Sequence, residues 1–284
     1  MRARDVLDML LLGAIWGGAF PLLRVASPAF GPVPLVAVRV AIAAVVLIAL
    51  ARERGAIRKD ALGYLALGLI NTAVPFSLFS YATLSITGGL ASLLNATTPI
   101  FGALIAFLWL GERLTALRVV GIVLAFAGVA MLVSGAVGTH SEGALLGVAA
   151  GLAGAALYGV AASYSRRRFR DAQPATIAAG SVLGATIALW PFAIAYWPST
   201  PPSPGHWLAA IVLGLVCTAL AYVIYFRLLR RVGASRAVTV TFLIPAFGIL
   251  WGTLFLGEPI TTELLLGCIV VMAGTALATG LVRR

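Results

Sequence analysis

The sequence predicts an all-α membrane protein, with ten transmembrane helices forming two inverted five-helix repeats around a central cavity. Composition is the first reason: apolar residues make up 61% of the chain and charged residues 10%, against about 45–50% and about 25% in soluble domains. The second is that ten largely apolar stretches have spanning length, near residues 6–24, 33–51, 61–82, 89–109, 116–135, 144–165, 174–196, 206–229, 234–255 and 262–282. The third is an internal repeat. Residues 63–134 return as 209–280 at a constant offset of 146, with Leu67-Gly68-Leu69 on Leu213-Gly214-Leu215, Thr72 on Thr218, Pro99 on Pro245, Phe101-Gly102 on Phe247-Gly248 and Gly111-Glu112 on Gly257-Glu258. Upstream, Trp16-Gly17 falls on Tyr158-Gly159 at an offset of 142. The halves divide as residues 1–137 and 138–284, each with five spans. Five is odd, so a second copy that follows the first directly enters the membrane from the other side.

Taken in order, span one follows Arg2 and Arg4 and carries Trp16-Gly17-Gly18-Ala19-Phe20. It begins like a secretory signal, but its apolar run is longer than a signal core and nine spans follow, so it is read as a span that stays. Span two holds Arg39, a basic side chain about two turns from its outer end. Span three carries Asn71, Phe76 and Tyr81, and span four Asn95, Thr97, Thr98 and Pro99. Span five has Gly121 and Gly128 at close-packing intervals. Spans six to ten repeat the plan, with Tyr158 in six, Tyr222 and Tyr225 in eight, Thr239, Thr241 and Pro245 in nine, and Gly267 and Gly274 in ten. The connections are short, and the Pro-rich turn at 198–204 is the one low-complexity stretch.

Threading ten spans puts every Lys and Arg except Arg24 and Arg39 on one face. Cytoplasmic loops carry the positive excess, so both termini are expected in the cytoplasm of a multi-pass protein of the bacterial inner membrane. The net charge of +11 is thus a topology signal with contact to anionic lipids, and nucleic acid is not expected as a partner. Cys217 and Cys268 each sit inside an apolar span, which leaves no basis for a disulfide framework or a thiolate metal site.

The Trp-Gly-Gly-Ala-Phe run of span one, the prolines of spans four and nine, Gly-Glu-Arg at 111–113, Gly-Glu-Pro at 257–259 and the Gly-rich fifth and tenth spans together resemble the drug/metabolite transporter superfamily, EamA type. The resemblance covers residues 6–282. Within it, ten spans with nothing appended are similar to bacterial exporters of amino acids and related metabolites, including the YddG-type aromatic amino acid exporters. That implies alternating-access export of small organic metabolites, with neutral or aromatic amino acids as the best-fitting class. Drug or nucleobase efflux and a lipid-linked flippase share the architecture.

Candidate transport residues follow from what breaks the apolar pattern. Pro99 and Pro245 remove a backbone donor near mid-span and are expected to kink or open their helices, either for packing or to form the substrate region. Asn71 and Asn95 each carry an amide with several hydrogen-bonding sites to satisfy and are expected on a cavity, together with Thr98, Thr239 and Thr241, although Thr also serves as helix glue. Trp16, Phe20, Phe76, Tyr81, Tyr158 and Tyr222 are expected to supply flat apolar area, with one donor each from Trp16, Tyr158 and Tyr222, while packing remains the plainer role for any one of them. Arg39 is costly in a span unless paired or beside a wet cavity. An ion pair with Glu258 is the expectation, and capture of a substrate carboxylate is the alternative.

Catalysis in the bilayer is not expected. His140 and His206 lie near loops, and no HExxH, GxSxG or phosphate-binding Gly-rich loop occurs. No metal or cofactor is implied. No Asp or Glu lies deep in a span, so export is expected to be facilitated rather than proton-coupled. Nothing fixes the oligomeric state, and a monomer satisfies the pattern.

Overall fold

The computed structural model describes residues 2–51, 53–139 and 143–280. Among these, ten helical spans are long and apolar enough to cross a membrane: Ala3–Phe30, Pro32–Leu50, Ala61–Ala82, Gly88–Leu110, Ala116–Val133, Ala144–Arg168, Pro174–Ala195, Pro204–Val232, Thr239–Leu256 and Thr262–Thr279, called spans one to ten. They match the expected stretches closely, and the described residues contain no strand. A spanning backbone has no water to bond, so each carbonyl and N–H must be satisfied within the helix or by a neighbour. Large apolar side chains such as Val45, Leu62, Leu108 and Phe255 point outward, as a lipid-facing surface requires.

The two repeats are visible in reciprocal contacts. A Cβ added to Gly17 of span one would stand 2.8 Å from the backbone nitrogen of Gly248 in span nine, and one added to Gly159 of span six would stand 2.8 Å from that of Gly102 in span four. Gly68 of span three packs on the carbonyl of Ser181 in span seven, and its counterpart Gly214 of span eight packs on the carbonyl of Arg39 in span two. Spans five and ten lie against each other directly, with Gly121 against Ala278 and Gly274 against Ala125. Small residues let these backbones touch, which is where helix association in lipid gains its dispersion energy. Ser181 therefore stands to the second repeat as Arg39 stands to the first.

Four spans depart from regular α-helix. Span four breaks between Gly88–Asn95 and Thr98–Leu110, immediately before Pro99. The turn residue Ala96 has its carbonyl covered by the Thr275 hydroxyl of span ten at 3.4 Å. Span nine tightens to a 3-10 turn, Val238–Phe242, just before Pro245. Both prolines thus sit where the helix changes, in keeping with a missing donor that a neighbouring group must compensate. Spans three and eight each widen into a π-helical turn, Leu69–Ala73 and Leu215–Leu220. Pro75 follows the first, but Ala221 stands at the equivalent place after the second, so proline does not explain both. The shared feature is a Thr in the widened turn: the Thr218 hydroxyl reaches back to the Leu213 carbonyl at 2.8 Å, and Thr72 bonds Ser181 at 3.0 Å. In span eight the hydroxyl enters the helix's own ladder, and in span three it reaches a neighbouring span instead.

Candidate functional site

The interrupted spans surround a cavity of about 350 Å³ near the middle of the bundle, at the small end of the range for ligand sites. Nine of the residues expected on a cavity meet there: Trp16 and Phe20 from span one, Asn71 and Phe76 from span three, Asn95 and Thr98 from span four, Tyr158 from span six, Tyr222 from span eight and Thr241 from span nine. The π-helical turns rotate Asn71 and its repeat counterpart Cys217 onto the wall. The break before Pro99 brings Asn95 and Thr98 to it. Asn71 is steadied by donating its side-chain amide to Ser181 at 3.2 Å, while the Thr98 hydroxyl is buried with no hydrogen-bond partner among the described residues.

Two expected residues lie elsewhere. Tyr81 is 42% exposed at the end of span three, where an amphipathic ring reaches the membrane–water boundary. Thr239 donates to the Arg236 carbonyl at 2.7 Å and stays off the wall, the local bonding that Thr commonly adopts.

The expected Arg39–Glu258 ion pair does not form. Arg39 lies roughly 10 Å of helical rise into span two, too deep to meet an acid at the span end. Its side chain is 5% exposed, its Nε donates to Thr218 Oγ1 at 2.9 Å, and its guanidinium carbon stands 4.0 Å from the centre of the Phe76 ring. It is therefore a charged wall of the cavity, with no carboxylate within ion-pair distance among the described residues.

Glu258 instead closes one end of the bundle. Gly257 ends span nine in the left-handed region at φ 64°, which turns the next carboxylate back over the start of span four. Its two oxygens accept the N–H of Gly88 at 2.8 Å and of Gly89 at 3.1 Å. Orphan donors at a helix start are suited to an anion. Arg24 Nε approaches the same carboxylate at 3.2 Å, and Arg24 Nη1 donates to the Ile86 carbonyl. At the same end, Ser27 of span one bonds Ser80 of span three at 2.7 Å. At the other end Arg166 meets Glu112 at 2.6 Å. The two ion pairs are repeat counterparts, Arg24 with Arg166 by the offset of span one on span six and Glu258 with Glu112 by the offset of 146. They differ in setting. Glu258 is 7% exposed, whereas Glu112 and Arg166 are 38% and 62% exposed. On that second face Asp60 takes two bonds from Arg168, each 2.9 Å, which hold its carboxyl below the usual range.

Seven wall residues are not singled out as cavity residues by the sequence: Ala19, Leu23, Phe79, Cys217, Thr218, Tyr225 and Ile244. Phe79 stacks on Tyr158 with centroids 6.0 Å apart and meets Phe20 edge-on at 5.7 Å, and Tyr225 leans on Trp16 at 5.6 Å. The usable signal was the repeat itself, since Cys217 and Thr218 are the counterparts of Asn71 and Thr72.

A multi-pass helical membrane protein with a solute-sized central chamber is thereby defined. Its sequence matches the model of the EamA-like transporter family twice, over residues 6–134 and 145–280. The chain belongs to that family and is a transporter of small molecules. It is 26% identical over 97% of its length, and 92% of the other's, to the uncharacterized transporter YvbV of Bacillus subtilis. A relative from Streptantibioticus cattleyicolor named "Probable terminal-alkyne amino-acid exporter" is 26% identical over 97% of this chain and 93% of its own. A solved crystal structure superposes with a TM-score of 0.69 at 22% identity, covering 100% of this chain and 99% of the other, which shows the shared fold.

Proposed function

We propose that this transporter exports small organic metabolites across the bacterial inner membrane by alternating access, with neutral and aromatic amino acids as the substrate class. One observation carries the reading: a central cavity walled by both repeats, with repeat-related ion pairs at the two ends of the bundle, one built on the buried Glu258 and its counterpart on the exposed Glu112. In this state the solute enters from the Glu112 face, which the basic loops assign to the cytoplasm. Exit requires the Glu258 seal to part and the Glu112 end to close, the repeats 1–137 and 138–284 exchanging conformations around a fixed site.

Within the site, Trp16, Tyr158 and Tyr222 offer aromatic surface, and Asn71, Asn95, Thr98 and Thr241 offer polar contacts to a substrate. Among the described residues lining the cavity there is no Asp or Glu, which supports facilitated export without a titrating carboxylate. The name of the Streptantibioticus relative supports an amino-acid-like substrate. Proteoliposomes of the full chain, tested with a labelled amino acid panel with and without a pH gradient, supply the check. Saturable flux of neutral or aromatic members, insensitive to the gradient, is expected, and saturable flux of none of them removes the substrate assignment.

A further inference from the structure

We infer that the transported species is a monoanion whose carboxylate seats on Arg39, and that the site makes no separate provision for an amino group. This rests on the export function proposed above and narrows its substrate class, ranking N-acylated amino acids and other monoanions above the free zwitterions. The guanidinium is held in place before any solute arrives. Its Nε is spent on Thr218 Oγ1 at 2.9 Å, Thr218 is itself anchored by donating to the Leu213 carbonyl at 2.8 Å, and the guanidinium carbon stands over the Phe76 ring, 4.0 Å from its centre. Neither Nη atom bonds a described residue. What remains is a forked pair of donors on the cavity wall, the geometry that matches a carboxylate with two parallel bonds.

Charge decides the rest. An arginine stays protonated in proteins, and a buried charge without a counter-charge is strongly disfavoured. Among the described residues lining the cavity, Arg39 is the only charged one, with no Asp and no Glu beside it. A solute with one carboxylate and no cation brings the chamber to neutrality. A zwitterion brings its ammonium as well, and that group finds aromatic faces, hydroxyls and amides but no carboxylate. The body of the solute meets Trp16, Phe79, Tyr158 and Tyr222, so aryl and other apolar carboxylates fit, including amino acids whose nitrogen is acylated.

A consequence follows for energetics. Carried alone, a monoanion leaves a cell whose interior is negative with the help of the membrane potential, by about 50-fold in the equilibrium ratio per 100 mV. Export is then driven without proton coupling, in accord with a cavity that has no acid to titrate.

The test uses the full chain in proteoliposomes and four probes of similar shape: N-acetylphenylalanine, its uncharged amide, phenylalanine and phenethylamine. N-acetylphenylalanine is expected to bind at least ten-fold tighter than phenylalanine in counterflow competition, phenethylamine to compete weakly or not at all, and N-acetylphenylalanine distribution to follow an imposed potassium diffusion potential. Arg39→Gln is expected to lose that preference ten-fold or more while still carrying the uncharged amide, a readout that a purely structural role would not spare. Thr218→Val, which frees Nε, is expected to weaken anion binding by a smaller factor in the same direction. Equal affinity for phenylalanine and its acetylated form, or parallel loss of anion and amide flux in folded Arg39→Gln, overturns the inference while leaving the amino acid exporter standing. Saturable flux of none of the four overturns both.

Discussion

Replacing Glu258 by Gln removes the charge from the seal with little change of volume, and its effect is calculable from the contacts. The carboxylate accepts N–H bonds from Gly88 at 2.8 Å and Gly89 at 3.1 Å and pairs with Arg24 at 3.2 Å. Hydrogen bonds to a charged group contribute about 1.5–3 kcal/mol each. The Arg24 contact adds less, since that side chain is 37% exposed. A glutamine keeps one acceptor and turns an NH₂ toward the second backbone N–H, so one bond is lost and two donors face each other. The sealed state is expected to lose about 2–4 kcal/mol against the unsealed one, which shifts their ratio by roughly 30- to 700-fold. Leu23 reports this, being 2% exposed, beside Arg24 and on the cavity wall. With Cys217 and Cys268 replaced by Ser, the labelling rate of Leu23→Cys by a membrane-impermeant maleimide from the Glu258 side is expected to rise at least ten-fold with Glu258→Gln, but not with Glu112→Gln. A Cys at the fully buried Leu93 is expected to stay unreactive, which separates opening from unfolding. Equal Leu23→Cys rates in parent and Glu258→Gln would refute the idea that these contacts hold the end shut.

Packing at the repeat interface gives a second expectation. A methyl at Gly17 would stand 2.6 Å from Phe247 Cβ and 2.8 Å from two backbone atoms, so Gly17→Ala is expected to cost about 1–3 kcal/mol by overpacking and to lower the unfolding temperature in detergent. Gly55→Ala, with nothing within 4 Å of the added carbon, is expected to be neutral or to stabilise by about 0.4–1 kcal/mol through the unfolded chain. Asp60 gives a pH dependence. Bonds from Arg168 lower its folded pKa, so its contribution is complete above the ordinary carboxylate range and is lost as pH falls through the lowered folded value. Asp60→Asn is expected to lower stability at neutral pH and to remove that acid-side decline, as read from unfolding temperatures across a pH series.

The ten spans were legible because lipid imposes a composition that a few polar substitutions do not disguise, and span three ran from 61 to 82 in the pattern as in the structure. The repeat was legible because offsets of 146 and 142 align landmarks that later proved to make reciprocal contacts, such as Gly68 on Ser181 and Gly214 on Arg39. The π-helical turns were not, since a widened turn has the same hydropathy as the helix around it and depends on where a Thr hydroxyl reaches. The sequence points to the wrong partner for Arg39 for a related reason. Charge and approximate depth favoured Glu258, but neither gives the direction a side chain faces, and Arg24 at the end of span one lay nearer the turn that Gly257 makes. Thr218 stood in the sequence as a repeat landmark. Its role as acceptor for Arg39 depends on two spans meeting, which no local pattern encodes.

The two ends of the bundle derive from one unit but cannot seal alike, and the difference is written in single residues. The Glu258 carboxylate tucks against Gly252, where an added Cβ would collide with it. The counterpart of Gly252 at the other end is Ala106, which carries the methyl that would collide with the carboxylate if Glu112 were to adopt the Glu258 position. Thr87 caps the helix that presents the Gly88 and Gly89 donors by accepting from Leu90 N–H at 3.2 Å, whereas its counterpart is Gly233, which has no side chain to cap with. The Glu258 end thus has the more buried and better-capped ion pair, which is expected to favour the state with that end shut. Gly252→Ala is expected to push the carboxylate off the Gly88 and Gly89 donors and to expose Leu23→Cys much as Glu258→Gln does. Ala106→Gly is expected to leave Leu23→Cys shielded or to shield it less, because it relieves the obstacle at the opposite end and can only draw population away from the present state. Undiminished shielding of Leu23→Cys in Gly252→Ala would show that the glycine does not set the balance between the two seals.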